Sequence, residues 1–206
     1  MTAKGSCLAA MMAILLGGAV ASAGSETDAL VERLRRIHPF AEQYSVDVSN
    51  GKLKAGAARV FVKAPLSTAV STVTDYGNYR AMIRRFERAE IVGKHGDQTD
   101  VALRVPILNG RSRVNGTLRF DPPRAVGDEV VVVGRMIDGN VSRFEATFRL
   151  RKIDEQSTQL NLEMLIEPKL PVPASLVTRE TADASDGAVR RLRDFSEKRY
   201  RAAQGG

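Results

Sequence analysis

The chain has 206 residues, a net charge of +7 and a single cysteine, Cys7. The length suits one domain, and one cysteine excludes a disulfide framework. A basic balance fits nucleic acid, anionic lipid or acidic partners, but here the basic residues are spread along the chain and mixed with acids, as on an ordinary solvated surface.

The first residues, MTAKGSCLAAMMAILLGGAVASAG, carry one charge, Lys4. An apolar run over 8–20 is followed by Ala21-Ser22-Ala23, a small-residue cleavage site. Residues 1–23 therefore read as a signal peptide cut after Ala23. The run is short for a membrane span of about 20 residues. Cys7 lies ahead of most of the apolar run, so it leaves with the signal and the mature chain has no thiol. Export to a periplasm or the exterior follows, and it argues against a nucleic-acid partner.

Residues 24–52 read as an N-terminal helix and strand extension. A short helix over 27–37 has Thr27 as N-cap and Leu30, Val31 and Leu34 on one face. Pro39 stops it. Strands YSVDV and LKAGAARVFVKA flank Asn50-Gly51, a hairpin signal. In the second strand Ala58, Val60 and Val62 share a face, and Phe61 points the other way, under the first helix. Residues 53–206 form the main domain. After Pro65 come two short helices, with Ser67 as N-cap of the first and Gly77 as the break.

From Phe86 onward the pattern is almost entirely strand: FERAEIVGKH, TDVALRVPIL, RVNGTLRF, DEVVVVGRMI, VSRFEATFRL and TQLNLEMLIEP. Turns fall at Gly96-Asp97, Asn109-Gly110, Pro122-Pro123, 138–140 and Asp154-Glu155. Such close spacing favours antiparallel hairpins. Pro171 and Pro173 lead into a long helix over about 174–202. The fold class is α+β: a curved antiparallel sheet of about seven strands around a long C-terminal helix.

Alternation sorts the strands. Phe144, Ala146, Phe148 and Leu150 share one face with Val101, Leu103, Val105 and Ile107, with Val114, Gly116, Leu118 and Phe120, with Val130, Val132, Gly134 and Met136, and with Leu160, Leu162, Met164 and Ile166. The other face carries Arg104, Arg113, Asn115, Arg119, Arg135, Arg149, Asn161 and Glu163, which reach water. One helix is about 10 Å wide, whereas seven strands at about 4.8 Å spacing span about 30 Å. Either the short helices fill the remainder or a cavity is left.

Three stretches, V-x-A-P at 62–65, T-D-Y-x-x-Y at 74–79 and an E-x-x-x-x-x-G-D-like hairpin at 90–97, together with LPVPASLV at 170–177, resemble the START-like (SRPBCC; polyketide cyclase/dehydrase and lipid transport) superfamily, including its coenzyme-Q-binding branch. The resemblance covers about 53–201 and rests on element order more than on any one motif. It implies a helix-grip fold around a hydrophobic ligand tunnel. Met82 and Arg84 stand where relatives often carry an aromatic residue and a proline, and the chain has no tryptophan.

Two classes of function then compete, with an interaction module of filled core as a third. A cyclase or aromatase needs polar groups inside the tunnel to move protons, and none of the inward positions carries a charge. His38 and His95 fall at boundaries or turns and read as solvated surface residues. Two histidines make a zinc site improbable. Asp75 reads as a brace for the short-helix turn. The expectation is a non-enzymatic binder or transporter of a lipid, quinone or isoprenoid, with no catalytic residue, cofactor or metal. Its tunnel lining is Leu103, Val105, Val114, Leu118, Val132, Met136, Phe144, Phe148, Leu162 and Met164 on the sheet, with Leu176, Val177, Thr181 and Ala184 on the last helix. A second surface, Arg84, Arg85, Arg190, Arg193 and Arg199, either docks transiently on anionic membrane or simply satisfies the helix end.

Overall fold

The computed structural model describes residues 18–48, 53–107, 110–169 and 171–205. The Asn50-Gly51 turn, Asn109, Leu170 and residues 1–17 of the expected signal peptide lie outside them. Strand β1 (Glu42–Asp47) pairs with β2 (Lys54–Val62). Then come α2 (Leu66–Val73), a 3-10 turn (Tyr76–Asn78) and α3 (Tyr79–Met82), all after α1 (Gly18–Ile37). Strands β3 (Arg88–His95), β4 (Gln98–Ile107), β5 (Ser112–Phe120), β6 (Arg124–Val126), β7 (Glu129–Gly139), β8 (Arg143–Asp154) and β9 (Ser157–Glu167) follow, and α4 (Ala174–Gln204) ends the chain.

The sheet is antiparallel, in the order β1-β2-β9-β8-β7-β5-β4-β3, with β6 beside β7. It has nine strands against an expected seven or so. The additions are peripheral: β1 extends the β2 edge, and β6 is a three-residue flank formed where the chain returns from Pro122-Pro123. Its turn runs through Gly127 at φ +61°, a backbone region that suits glycine.

Helix α1 begins upstream of Thr27, at Gly18. It lies on the convex face. Leu34 is fully buried there, Arg35 sits over the Phe61 ring at 5.3 Å and His38 meets the same ring edge-on. Ser67 does not cap α2; Pro65 holds that position with no side-chain cap bond. The break after α2 comes at Thr74-Asp75, and Gly77 sits inside the 3-10 turn.

Helix α4 lies on the concave face but off centre, with its main sheet contacts to β2, β9 and β1. The cause is Gly56. A Cβ at that position would overlap the Ala182 amide nitrogen, Thr181 Oγ1 and Thr178 O. Only the missing side chain lets helix and strand backbones approach so closely. The Gly56 amide donates to Thr181 Oγ1 at 3.1 Å, and Ser185 Oγ donates to Gly56 O at 3.2 Å. Because α4 is held over β2, the half of the concave face on β4 and β5 is left without a helix directly on it.

Candidate functional site: an apolar cavity between the sheet and the last helix

The concave face divides into two parts. At one end α2 packs against β8, β9 and α4, and the sheet side chains there, Val60, Leu150 and Leu160, are fully buried. At the other end a cavity of about 820 Å³ separates the sheet from α4. That lies within the ~300–1,000 Å³ range of small-molecule sites.

Strand β8 crosses both parts. Phe144, Ala146 and Phe148 line the cavity, and Leu150, two residues further, belongs to the packed end. Opposite them in register, Ile166 faces Phe144, Met164 faces Ala146 and Leu162 faces Phe148. These three also line the cavity, as do Leu103, Val105, Val114 and Leu118 from β4 and β5. From α4 come Leu176, Val177, Thr181 and Ala184. The Thr181 hydroxyl is engaged with the backbone, donating to Val177 O at 3.0 Å and accepting from the Gly56 amide.

Val132 and Met136 are placed elsewhere. Val132 is fully buried opposite Phe148, in the packed core. Two residues along β7, the Phe120 ring lies where a Cβ on Gly134 would be and stacks on Tyr76 at 4.4 Å, and Phe120 itself lines the cavity. Met136 folds over two glycines, its Cε against Gly116 and its Sδ against Gly139. The pairing of β5 and β7 shifts register between Thr117 and Leu118, and that irregularity brings Gly116 opposite Gly139. Alternation alone carries no sign of either feature.

Several lining residues were not legible from strand alternation because they come from loops and short helices. Tyr79, Ile83 and Phe86 close one side. Burial pushes the Tyr79 phenol well above its ordinary pKa, and its hydroxyl donates to Val73 O. Pro39 and Phe40 contribute from the link between α1 and β1. Gly187 lines the cavity from the middle of α4, and a Cβ there would meet nothing within 4 Å.

Among the described residues the charged lining is strongly asymmetric, with seven basic side chains and two acidic ones. Arg85 Nη2 pairs with Glu180 at 3.1 Å, and Arg85 Nε donates to Pro106 O at 3.1 Å. Arg113 pairs with Glu87 at 3.0 Å, Arg190 with Asp186, and Arg193 with Asp194 at 2.6 Å. Lys169 donates to Gly139 O at 3.0 Å. Among the described residues, Arg84 and Arg191 have no acidic partner.

The five arginines considered for membrane contact do not form one free basic surface. Arg85 and Arg190 are paired as above, and Arg193 is buried and also donates to Pro39 O. Arg199 pairs with Asp75, which also receives both Asn78 contacts at 2.9 Å. Burial raises the Asp75 pKa, but the Arg199 and Asn78 hydrogen bonds outweigh it and the carboxyl ends below its ordinary 3.8. His38 is likewise not a solvated residue. Its Nε2 lies 3.2 Å from Oε1 of buried Glu197, which also accepts the Lys63 amide at 2.9 Å. His95 is exposed beside Asp100. Asn161, expected in water, is buried and accepts from Gln159 Nε2 at 3.0 Å.

No protein-family model matches the chain, and no curated protein matches it. Solved structures do. A STAR-related lipid transfer protein from Xanthomonas axonopodis aligns with a TM-score of 0.62 at 16% identity, over 77% of this chain and 94% of that one. Human StAR-related lipid transfer protein 5 aligns at 0.61 and 9% identity, over 86% and 98%. A START superfamily protein from Mycobacterium smegmatis aligns at 0.57 and 20% identity, over 71% and 97%. At these identities the likeness is one of architecture: a curved antiparallel sheet gripping a long C-terminal helix, with short helices after the first core strand, which is the START-like helix-grip fold.

Proposed function

We propose that the protein is an exported, non-enzymatic binder or carrier of a hydrophobic small molecule, in the class of lipids, quinones and isoprenoids. The observation that carries this reading is the 820 Å³ cavity whose sheet-side wall is built mainly from Leu, Val, Phe, Met and Ile side chains. A guest entering it exchanges water for apolar contact at about 25 cal/mol per Å² buried. The Xanthomonas and human neighbours are named as lipid transfer proteins, and sharing their fold supports the same class of activity here. The hydroxyls of Tyr79 and Thr181, which border the cavity, are engaged with backbone carbonyls. That supports binding over the proton transfer a cyclase would need. With four of the five arginines paired, membrane docking draws little support from that surface.

Ala146→Phe tests the cavity reading. The new ring would stand among Phe144, Phe148 and Met164, at the wall. The expected result is a melting temperature nearly unchanged and loss of uptake of Nile red and of a fluorescent fatty acid. A loss of about 1–3 kcal/mol by overpacking, with uptake intact, overturns the reading. Gly187→Phe fills the same space from the helix side, so the test does not rest on one variant.

The export part of the proposal is supported by Lys4, the apolar run over 8–20 and Ala21-Ser22-Ala23. A cut after Ala23 would remove the start of α1 and leave Val31 and Leu34, its buried anchors, in place. N-terminal sequencing of the secreted pool is expected to begin at Gly24; recovery of Met1 there overturns it.

A further inference from the structure

We infer that the mouth of the cavity is an anion site, so that the guest is an amphiphile: an apolar body inside and a carboxylate or phosphate head held by Arg84 and Arg191. The inference rests on the cavity being a guest site and adds the polarity of the guest.

Among the described residues, seven basic side chains line the cavity against two acidic ones. Four of the seven are held by acids within the fold. Three remain: Arg84, Lys169 and Arg191, all exposed, all on the cavity wall, and without an acidic partner among the described residues. Lys169 is the weakest of them, because its ammonium already donates to Gly139 O.

Placement follows from the backbone. Arg84 comes directly after Ile83, which is buried and lines the cavity, so its backbone is held at the wall while its side chain reaches water. Arg191 stands one helical turn after Gly187, on the same face of α4. Gly187 has no side chain to obstruct that face, and the space beside it is open. An uncovered glycine in a helix interior costs stability relative to alanine. Here the glycine leaves open space on the helix face that lines the cavity.

The orientation of the guest is forced. An ionised head placed against Leu103, Leu118 or Phe148 would lose its hydration without a compensating partner. At the mouth it meets guanidinium groups whose forked geometry matches carboxylate and phosphate oxygens equally. Tail in and head out is the one arrangement that satisfies both parts.

The test measures displacement of Nile red from the protein by palmitate, hexadecyl phosphate and hexadecanol, which share one tail length and differ in head. At low ionic strength both anions are expected to compete about tenfold better than the alcohol, and added salt to shrink that advantage. The ratio of palmitate to hexadecyl phosphate tells which head the site prefers. Arg84→Gln combined with Arg191→Gln is expected to remove most of the advantage and to leave hexadecanol within about twofold. Equal competition by all three ligands, or a variant that weakens all three alike, overturns the anion site while the cavity reading stands. Failure of Nile red and every competitor to bind overturns both.

Discussion

The Gly56 amide on β2 donates to Thr181 Oγ1 on α4 at 3.1 Å, the long helix here approaching its sheet at a residue with no side chain. That contact sets where α4 lies. By holding the helix over β2, it leaves room for the cavity, whose sheet wall comes from β4, β5, β8 and β9. Gly56→Ala forces a Cβ into the helix backbone, which cannot give way as a flexible side chain would. A loss of about 3 kcal/mol is expected, read as a lower urea midpoint with unchanged slope. Gly187→Ala is the control on the same helix. Its Cβ meets nothing within 4 Å, so it is expected to stabilise by up to about 1 kcal/mol through helix propensity.

Two leucines on the same concave face distinguish packed core from cavity wall. Leu160 is fully buried at the closed end, and Leu103 lines the cavity. Leu160→Ala is expected to cost about 2–5 kcal/mol, the usual range for a packed site. Leu103→Ala is expected to cost less than about 2 kcal/mol, since part of its surface has no protein neighbour to lose. Equal losses in chemical denaturation would mean that both ends are equally packed.

The Asp100 carboxylate is the clearest source of acid sensitivity. The Arg119 hydrogen bonds, at 2.7 and 2.8 Å, hold it below its ordinary 3.8, against the opposing effect of burial. Asp75 and Asp121 are depressed as well. A carboxyl depressed in the folded state binds fewer protons there than when unfolded, so stability rises with pH through this range. The contribution is complete above the unfolded value near 4 and is lost as pH falls towards the folded one. The stability difference between the protein and Asp100→Asn is therefore expected to shrink as pH drops from 6 to below 3. A gap that stays constant in pH-dependent denaturation would remove Asp100 from the account.

Much of the fold was legible in the sequence because strand alternation is a local property. The inward sets on β4, β5, β8 and β9 follow from every second residue being apolar, and the structure has them on the concave face. Phe61, out of phase with Val60 and Val62, belongs to the outer face on the same ground, and it packs under α1. Local signals were weaker at helix ends. Thr27 and Ser67 are good cap residues, but α1 and α2 begin elsewhere.

The division of the concave face was decided by tertiary structure alone. Val132 and Phe148 are register partners and equally apolar, yet one is in the packed core and the other on the cavity wall. The wall they are sorted by is assembled from residues far apart in the chain, such as Phe120 stacked on Tyr76. The arginines illustrate the same limit. Arg84 and Arg85 are neighbours and indistinguishable by type. Which of them is neutralised depends on Glu180 reaching across from α4. Alternation tells which way a side chain leaves its strand; only the folded chain decides what it meets there, because long-range packing is set by the placement of whole elements.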